Sequence, residues 1–167
     1  MTAKEFIQTY KPFALESERK TGISHLFTLA QAALESGWGK NIPGNMFFGV
    51  KAGKDTPANK RQLLNTTEVL NAPNLGYKFP QVMSIYQLPN GKYKYEVKDW
   101  FRKYDTPEEC FTDHAQFFFK NKRYAKALEV RIDPYKFAEE VAKAGYATAP
   151  NYATILKDVI KTIENNS

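Results

Sequence analysis

The sequence is poor in the side chains that bind metals or cross-link a chain. Of its 167 residues one is cysteine, Cys110, and two are histidine, His25 and His114. A lone thiol excludes an internal disulfide, and three such ligands scattered along the chain do not make a His/Cys zinc site. Neither a metal nor another cofactor is expected. Long apolar runs are also missing. None approaches the roughly 20 residues that a membrane helix needs, so no transmembrane segment is expected. The amino-terminal run MTAKEFIQTYKPF lacks the apolar core of a secretory signal, and no export route is visible in it. Repeats, low-complexity tracts and linkers are absent, as is any recognised nucleic-acid-binding motif, and no nucleic-acid partner is expected.

What is present fits one domain, long enough to bury about 70% of its unfolded surface. Hydrophobic residues make up 43% and charged residues 25%. Aromatics reach 14%, with ten Tyr and twelve Phe, which suits a core and equally a groove that stacks flat rings. The net charge of +6 is spread along the chain rather than massed in one arm. It favours polyanions through steering and counterion release, and an ordinary solvated basic surface has the same signature.

Helical patterning dominates both ends. Thr2 with Glu5 predicts a capping box. The helix it opens carries Phe6, Tyr10, Phe13 and Ser17 on one face and stops at Gly22. Ser24 caps a second helix with Leu26, Leu29, Ala30, Ala33 and Leu34 on its apolar side, ended by Gly37. Residues 41–60, rich in Gly and Pro, read as loop. The period then changes. Thr66-Thr67-Glu68-Val69 is β-prone, and residues 84–88 and 92–97 flank Pro89-Asn90-Gly91, a hairpin signal. Residues 63–104 are read as a small β-lobe. Thr106-Pro107-Glu108-Glu109 combines an N-cap, a proline at the first helical position and a capping acid. The helix it opens bears Phe111, Ala115, Phe118 and Phe119. Asp133-Pro134 opens another, ended by Gly145. The last starts near Asn151, with Tyr152, Ile155, Leu156, Val159, Ile160 and Ile163 as its apolar stripe. The expectation is a single α+β domain over residues 1–167, mostly helical, with an inserted small β-lobe.

Glu35 is the carboxylate with the most informative setting. It falls in the last turn of the second helix, just before Gly37 and Gly39. There it meets the negative end of the helix dipole, where cations are preferred. With Leu34 and Trp38 beside it, the ionised form is disfavoured and the pKa should rise. A general acid working near neutral pH needs such a shift. A surface Glu at a frayed helix end would carry the same local sequence.

The run from Gln31 to Gly39, QAALESGWG, is followed by NMFFGVKA at residues 45–52. Together they resemble the signature of the bacterial glucosaminidases of glycoside hydrolase family seventy-three. The resemblance continues through Thr66-Thr67-Glu68 and through FRKYD at residues 101–105. It resumes at Arg123-Tyr124 and at AGYATAPNY over residues 144–152. Any one block is weak; in this order, over nearly the whole chain, they are specific.

The resemblance implies a two-lobed, lysozyme-like fold acting on the glycan strands of peptidoglycan. It places the acid on Glu35, an assisting second Glu of the β-lobe on Glu68, and a tyrosine lining the site on Tyr146. Trp38, Asn45 and Tyr124 are expected to bind substrate. Trp38 fits loop packing as well as sugar stacking, and Asn45 fits closing the turn that supports the acid. Two departures stand out. Ala149 occupies a position where the family often has Asp. The stretch between Glu68 and Phe101 is longer than usual, as if by an extra hairpin around Asn74 to Asn90, which suggests a modified groove wall.

Glu68 by itself reads three ways. It is a solvent-facing strand residue, an electrostatic partner of an oxocarbenium-like transition state, or a base that activates water on the opposite ring face. Carboxyl separation distinguishes inversion from retention, while attack by the substrate's own 2-acetamido group needs no enzymic nucleophile. Both histidines read as packing residues, Phe47 and Phe48 as core, and Cys110 as a small buried hydrophobe. The expected activity is that of an endo-β-N-acetylglucosaminidase. The alternatives are a lytic transglycosylase or muramidase on the same fold, and a degenerate, non-catalytic wall-binding module. Retention of Glu35 argues against the last. A monomer working at the cell wall, in the periplasm or outside the cell completes the expectation.

Overall fold

Each long helix starts where a side-chain oxygen takes over an orphaned backbone N–H. In α1 (Ala3–Thr21) the Thr2 hydroxyl accepts from Glu5 N at 3.1 Å and the Glu5 carboxylate accepts from Thr2 N at 3.1 Å, a complete capping box. Ser24 caps α2 (His25–Ser36), accepting from Leu26 N at 3.2 Å. Thr106 caps α3 (Pro107–Lys120) through Glu109 N, with Pro107 at the first helical position. The Glu109 carboxylate reaches back to Asp105 N rather than to the cap residue itself. A short α4 (Ala125–Leu128) precedes α5 (Pro134–Lys143), which Asp133 caps through Tyr135 N and Lys136 N. The chain ends in α6 (Tyr152–Asn165). The computed structural model describes residues 1–167, which divide into a helical unit, Met1–Phe48 with Tyr104–Ser167, and a sheet unit, Gly49–Lys103.

The helical unit is built around α2. Phe27 through Ala33 are all buried, so the buried surface is nearly the whole circumference rather than the stripe expected, and Leu26 and Leu34 lie only partly inside it. The aromatic excess is spent largely on this unit's core. Phe6, Tyr10, Phe47 and Phe111 form one chain of ring contacts with centroids 4.9–5.0 Å apart. Phe27, Phe118 and Phe137 form another, at 4.5–6.0 Å. Two expected core residues turn outward: Phe119 is 42% exposed and Ile155 36%. Cys110 is buried, its Sγ accepting from Phe47 N at 3.5 Å, and burial pushes the thiol up to about 12.

The sheet unit holds β1 (Arg61–Leu70), β2 (Gln81–Gln87) and β3 (Tyr93–Arg102), in the order β1-β3-β2 with every pairing antiparallel. The β2–β3 connection is the predicted hairpin: Leu88 N donates to Lys92 O at 2.7 Å, and Gly91 sits at φ 85°. The unit starts at Gly49, earlier than the expected residue 63. The reason is that Val50 O and Ala52 N bond Arg102 N and Trp100 O at 2.8 and 3.0 Å, tying the preceding loop to the end of β3. Residues 74–90 do not make a hairpin of their own. They supply one 3₁₀ turn, Gly76–Lys78, and one strand, β2, whose partner is β3. The whole is α+β and mostly helical, and no helix is long and apolar enough to cross a membrane.

Candidate active site

Glu35 owes its position to the turn that stops α2. Gly37 closes the helix in the left-handed conformation at φ 60°, Trp38 follows at φ 58° and Gly39 at φ 85°. Three consecutive residues of this kind reverse the chain immediately after Ser36. For Trp38, a bulky L-residue, the conformation costs about 1–2 kcal/mol. The ring offsets part of that cost by packing edge-on against Phe6, centroids 5.5 Å apart. Ser36 locks the turn from inside, donating to Ala32 O at 2.6 Å and accepting from Gly39 N at 3.0 Å. Glu35 is exposed as a residue, but the protein around its carboxyl removes enough water to raise its pKa above the ordinary carboxylate range. The helix end has no basic residue in its last turn, so nothing there offsets the negative end of the dipole.

One turn earlier on the same helix lies Gln31, wholly buried at 0% exposure. Its Oε1 is 2.9 Å from His114 Nε2, and its Nε2 donates to the Tyr152 hydroxyl at 2.9 Å. Tyr146 stands just beyond α5, where Gly145 turns the chain at φ 87°. Its hydroxyl is 3.4 Å from His114 Nε2, and its ring stacks on Phe118 and Tyr152 with centroids 5.8 and 5.6 Å away. Burial pushes the Tyr146 phenol well above its ordinary value; Tyr152 and then the Glu35 charge add to that, and Gln31 pulls against it. Tyr152 goes up to about 12, again mainly through burial, with Glu35 contributing. His114 lies face to face with Phe48 at 3.8 Å, and burial pulls it down to about 4 against the opposing Asp113 carboxylate. The imidazole is therefore neutral at physiological pH. Glu35 thus lies within electrostatic reach of two protonated phenols, which are joined to a neutral imidazole and a buried amide.

Of the expected substrate-binding residues, Trp38 is partly exposed and packs on Phe6. Asn45 sits at φ 57°, its Nδ2 donating to Tyr104 O at 3.0 Å, so its amide is engaged in closing the turn at Pro43–Asn45. Tyr124 departs from the expectation. Enclosed by Phe117, Phe118 and Tyr146, it is 0% exposed and its hydroxyl makes no hydrogen bond to protein, so it underlies the cluster rather than presenting a surface to substrate. His25 pairs with Glu18, Nδ1 to Oε1 at 3.0 Å, away from this cluster. His114 is the histidine that joins it, together with Gln31 and Tyr152. A glutamine four residues before Glu35, within the otherwise apolar stretch Leu29–Leu34, is the one sequence signal that marks this group.

In the sheet unit, Glu68 lies on β1 opposite Tyr95 of β3. It is partly exposed and paired with Lys51, whose ammonium also lies 3.1 Å from Asp99. The same ammonium sits 5.9 Å from the centre of the Phe79 ring. Glu68 thus shares a face of the sheet with a cation held between two carboxylates. Across the chain no group of three or more His, Cys, Asp or Glu is placed to hold a metal ion.

The architecture recurs in solved structures. The C-terminally truncated glycoside hydrolase domain of Salmonella typhimurium FlgJ superposes with a TM-score of 0.74 at 31% identity, covering 99% of this chain and 100% of that one. That defines the class, a glycoside hydrolase domain. The family model described as mannosyl-glycoprotein endo-beta-N-acetylglucosaminidase matches residues 11–165, and the chain belongs to this glucosaminidase family. Peptidoglycan hydrolase FlgJ of Pseudomonas aeruginosa is 30% identical over 98% of this chain and 37% of its own length. The exo-glucosaminidase LytG of Bacillus subtilis is 32% identical over 80% of this chain and 42% of its own. The chain therefore spans less than half the length of either curated relative.

Proposed function

We propose that this domain hydrolyses the β-1,4 bonds of the peptidoglycan glycan strand as an endo-β-N-acetylglucosaminidase, at the cell wall in the periplasm or outside the cell. Glu35 is the general acid that protonates the leaving oxygen. The observation that carries the reading is the setting of Glu35: a carboxyl of raised pKa at an uncompensated helix C-terminus, beside two protonated tyrosines. The relatives named for peptidoglycan hydrolysis support the choice of polymer. Tyr146 supplies a hydroxyl for the 2-acetamido group or the attacking nucleophile. Glu68 serves as the second carboxylate, stabilising the oxocarbenium-like charge or activating water, and Lys51 holds it in place until substrate arrives.

The test is turnover of Glu35→Gln on a soluble glycan-strand substrate. Loss of an obligatory acid removes about 10²–10⁴ in rate, or roughly 3–5.5 kcal/mol of transition-state stabilisation. A variant that keeps more than about a tenth of wild-type turnover takes Glu35 out of the acid role. Tandem mass spectrometry of the released fragments, borohydride-reduced after digestion to mark each new reducing end, settles the bond. A reducing-end N-acetylglucosamine is expected. A product one water lighter identifies a lytic transglycosylase, a reducing-end muramic acid a muramidase, and single sugars released from chain ends an exo-enzyme.

A further inference from the structure

Gln31 is the only amide among the fully buried polar side chains, and it lies on the turn that precedes the acid, on the same face of α2. A side chain needed only for packing there would be apolar, since burying an amide is unfavourable unless its hydrogen bonds are made. Both ends of this amide are used. The oxygen faces His114 Nε2 at 2.9 Å, and the nitrogen donates to Tyr152 at 2.9 Å. An amide oxygen only accepts, so the proton of the neutral imidazole resides on Nε2. That same nitrogen lies 3.4 Å from the Tyr146 hydroxyl. A protonated ring nitrogen cannot accept from Tyr146, so the phenol's own proton is not taken up by the imidazole. Stacking on Phe118 and Tyr152 fixes the Tyr146 ring, leaving rotation of the O–H as the freedom that this arrangement controls.

We propose that Gln31 is a positioning residue which, by holding His114 as its Nε2–H tautomer, keeps the Tyr146 hydroxyl proton available for donation to a carbonyl oxygen of the bound substrate. The inference rests on the proposed glycosidase reaction for its consequence, a donor aimed at an amide carbonyl such as the 2-acetamido group. Its mechanism is internal to the helical unit. It links residues 83 and 121 positions apart in the chain through a single amide. With the amide reversed, the imidazole would carry its proton on Nδ1, and Gln31 and Tyr146 would compete to donate to the single Nε2 lone pair.

The experiment has two arms on the intact chain. Nitrogen NMR of the wild-type protein at neutral pH reads the tautomer without any turnover, so failure of this inference and failure of the Glu35 assignment register in different measurements. The expected result is His114 as the Nε2–H form, with that preference lost in Gln31→Met. The second arm compares Gln31→Met, Tyr146→Phe and the double variant on a soluble glycan strand. Gln31→Met should lower kcat about tenfold, the worth of one misdirected hydrogen bond, with KM moved less than about threefold. The double variant should be no slower than Tyr146→Phe alone. An Nδ1–H tautomer in the wild type overturns the proposal, and so do losses in kcat that multiply in the double variant.

Discussion

Tyr124→Phe isolates the cost of one buried hydroxyl. Tyr124 is 0% exposed and its oxygen makes no hydrogen bond to protein, so the folded state carries a desolvated donor that the unfolded chain returns to water. That penalty is about 1–3 kcal/mol for a neutral polar group. Phenylalanine keeps the ring, and with it the contacts to Phe117, Phe118 and Tyr146 at centroid distances of 5.1–6.5 Å. The void left by one oxygen, roughly 10–15 Å³, takes back only about 0.3 kcal/mol at the cavity coefficient of ~24 cal/mol per Å³. The balance is a gain of about 0.7–2.7 kcal/mol. For a chain of this length that corresponds to a rise in Tm of roughly 1–11 °C. Urea titration should show a higher midpoint with an unchanged slope, because the surface exposed on unfolding is the same. Since Tyr124 presents no surface to a ligand, kcat and KM on a soluble glycan strand should stay within about twofold of wild type. Destabilisation by about 1 kcal/mol or more refutes the reasoning, because it means the hydroxyl has a partner worth more than its desolvation. A raised KM at unchanged stability returns Tyr124 to the substrate surface.

Glu68→Gln should cut turnover strongly, though less than Glu35→Gln if the acetamido group is the nucleophile. Its thermal midpoint should barely move, since a partly exposed ion pair with Lys51 contributes about 0–1 kcal/mol; wild-type rates return Glu68 to an ordinary strand position. Azide should restore activity to a variant lacking a base or nucleophile and not to Glu35→Gln. Because the folded state raises the Glu35 pKa, it binds that proton more tightly than the unfolded chain does. Its contribution to stability is therefore full below the ordinary carboxylate range and is lost as pH rises through the raised value. Glu35→Gln should match wild-type Tm in acid and exceed it at neutral pH, and equal offsets at both would contradict the shift. EDTA should leave turnover of a soluble glycan substrate unchanged; loss restored by one particular divalent ion would refute a metal-independent reaction.

The parts of the fold that were legible are those whose physics spans three or four residues. Thr2 with Glu5, Ser24, Thr106-Pro107 and Asp133-Pro134 satisfy orphaned N–H groups in their own first turn, and the structure starts a helix at each. The Pro89-Asn90-Gly91 turn is equally local. Burial was less legible. The stripe on α6 holds at Tyr152, Leu156, Ile160 and Ile163 but loses Ile155, because a helical period gives a face and not its width. The start of the sheet unit at Gly49 depends on hydrogen bonds to the far end of β3, which no pattern in residues 49–60 announces.

The class of the domain, the helix starts and the carboxylate at the close of α2 are written in short stretches of chain, since capping, dipole and turn chemistry all act within a few residues. What surrounds that carboxylate is settled by long-range packing. It brought His114 and Tyr152 to Gln31 across 83 and 121 positions, and buried Tyr124 where a substrate contact was expected. It also paired Glu68 with a lysine seventeen positions before it. Such choices are made by the packing of whole elements, where the free energy of a partnership depends on every surface that must be buried to form it, and no short stretch of the chain carries that sum.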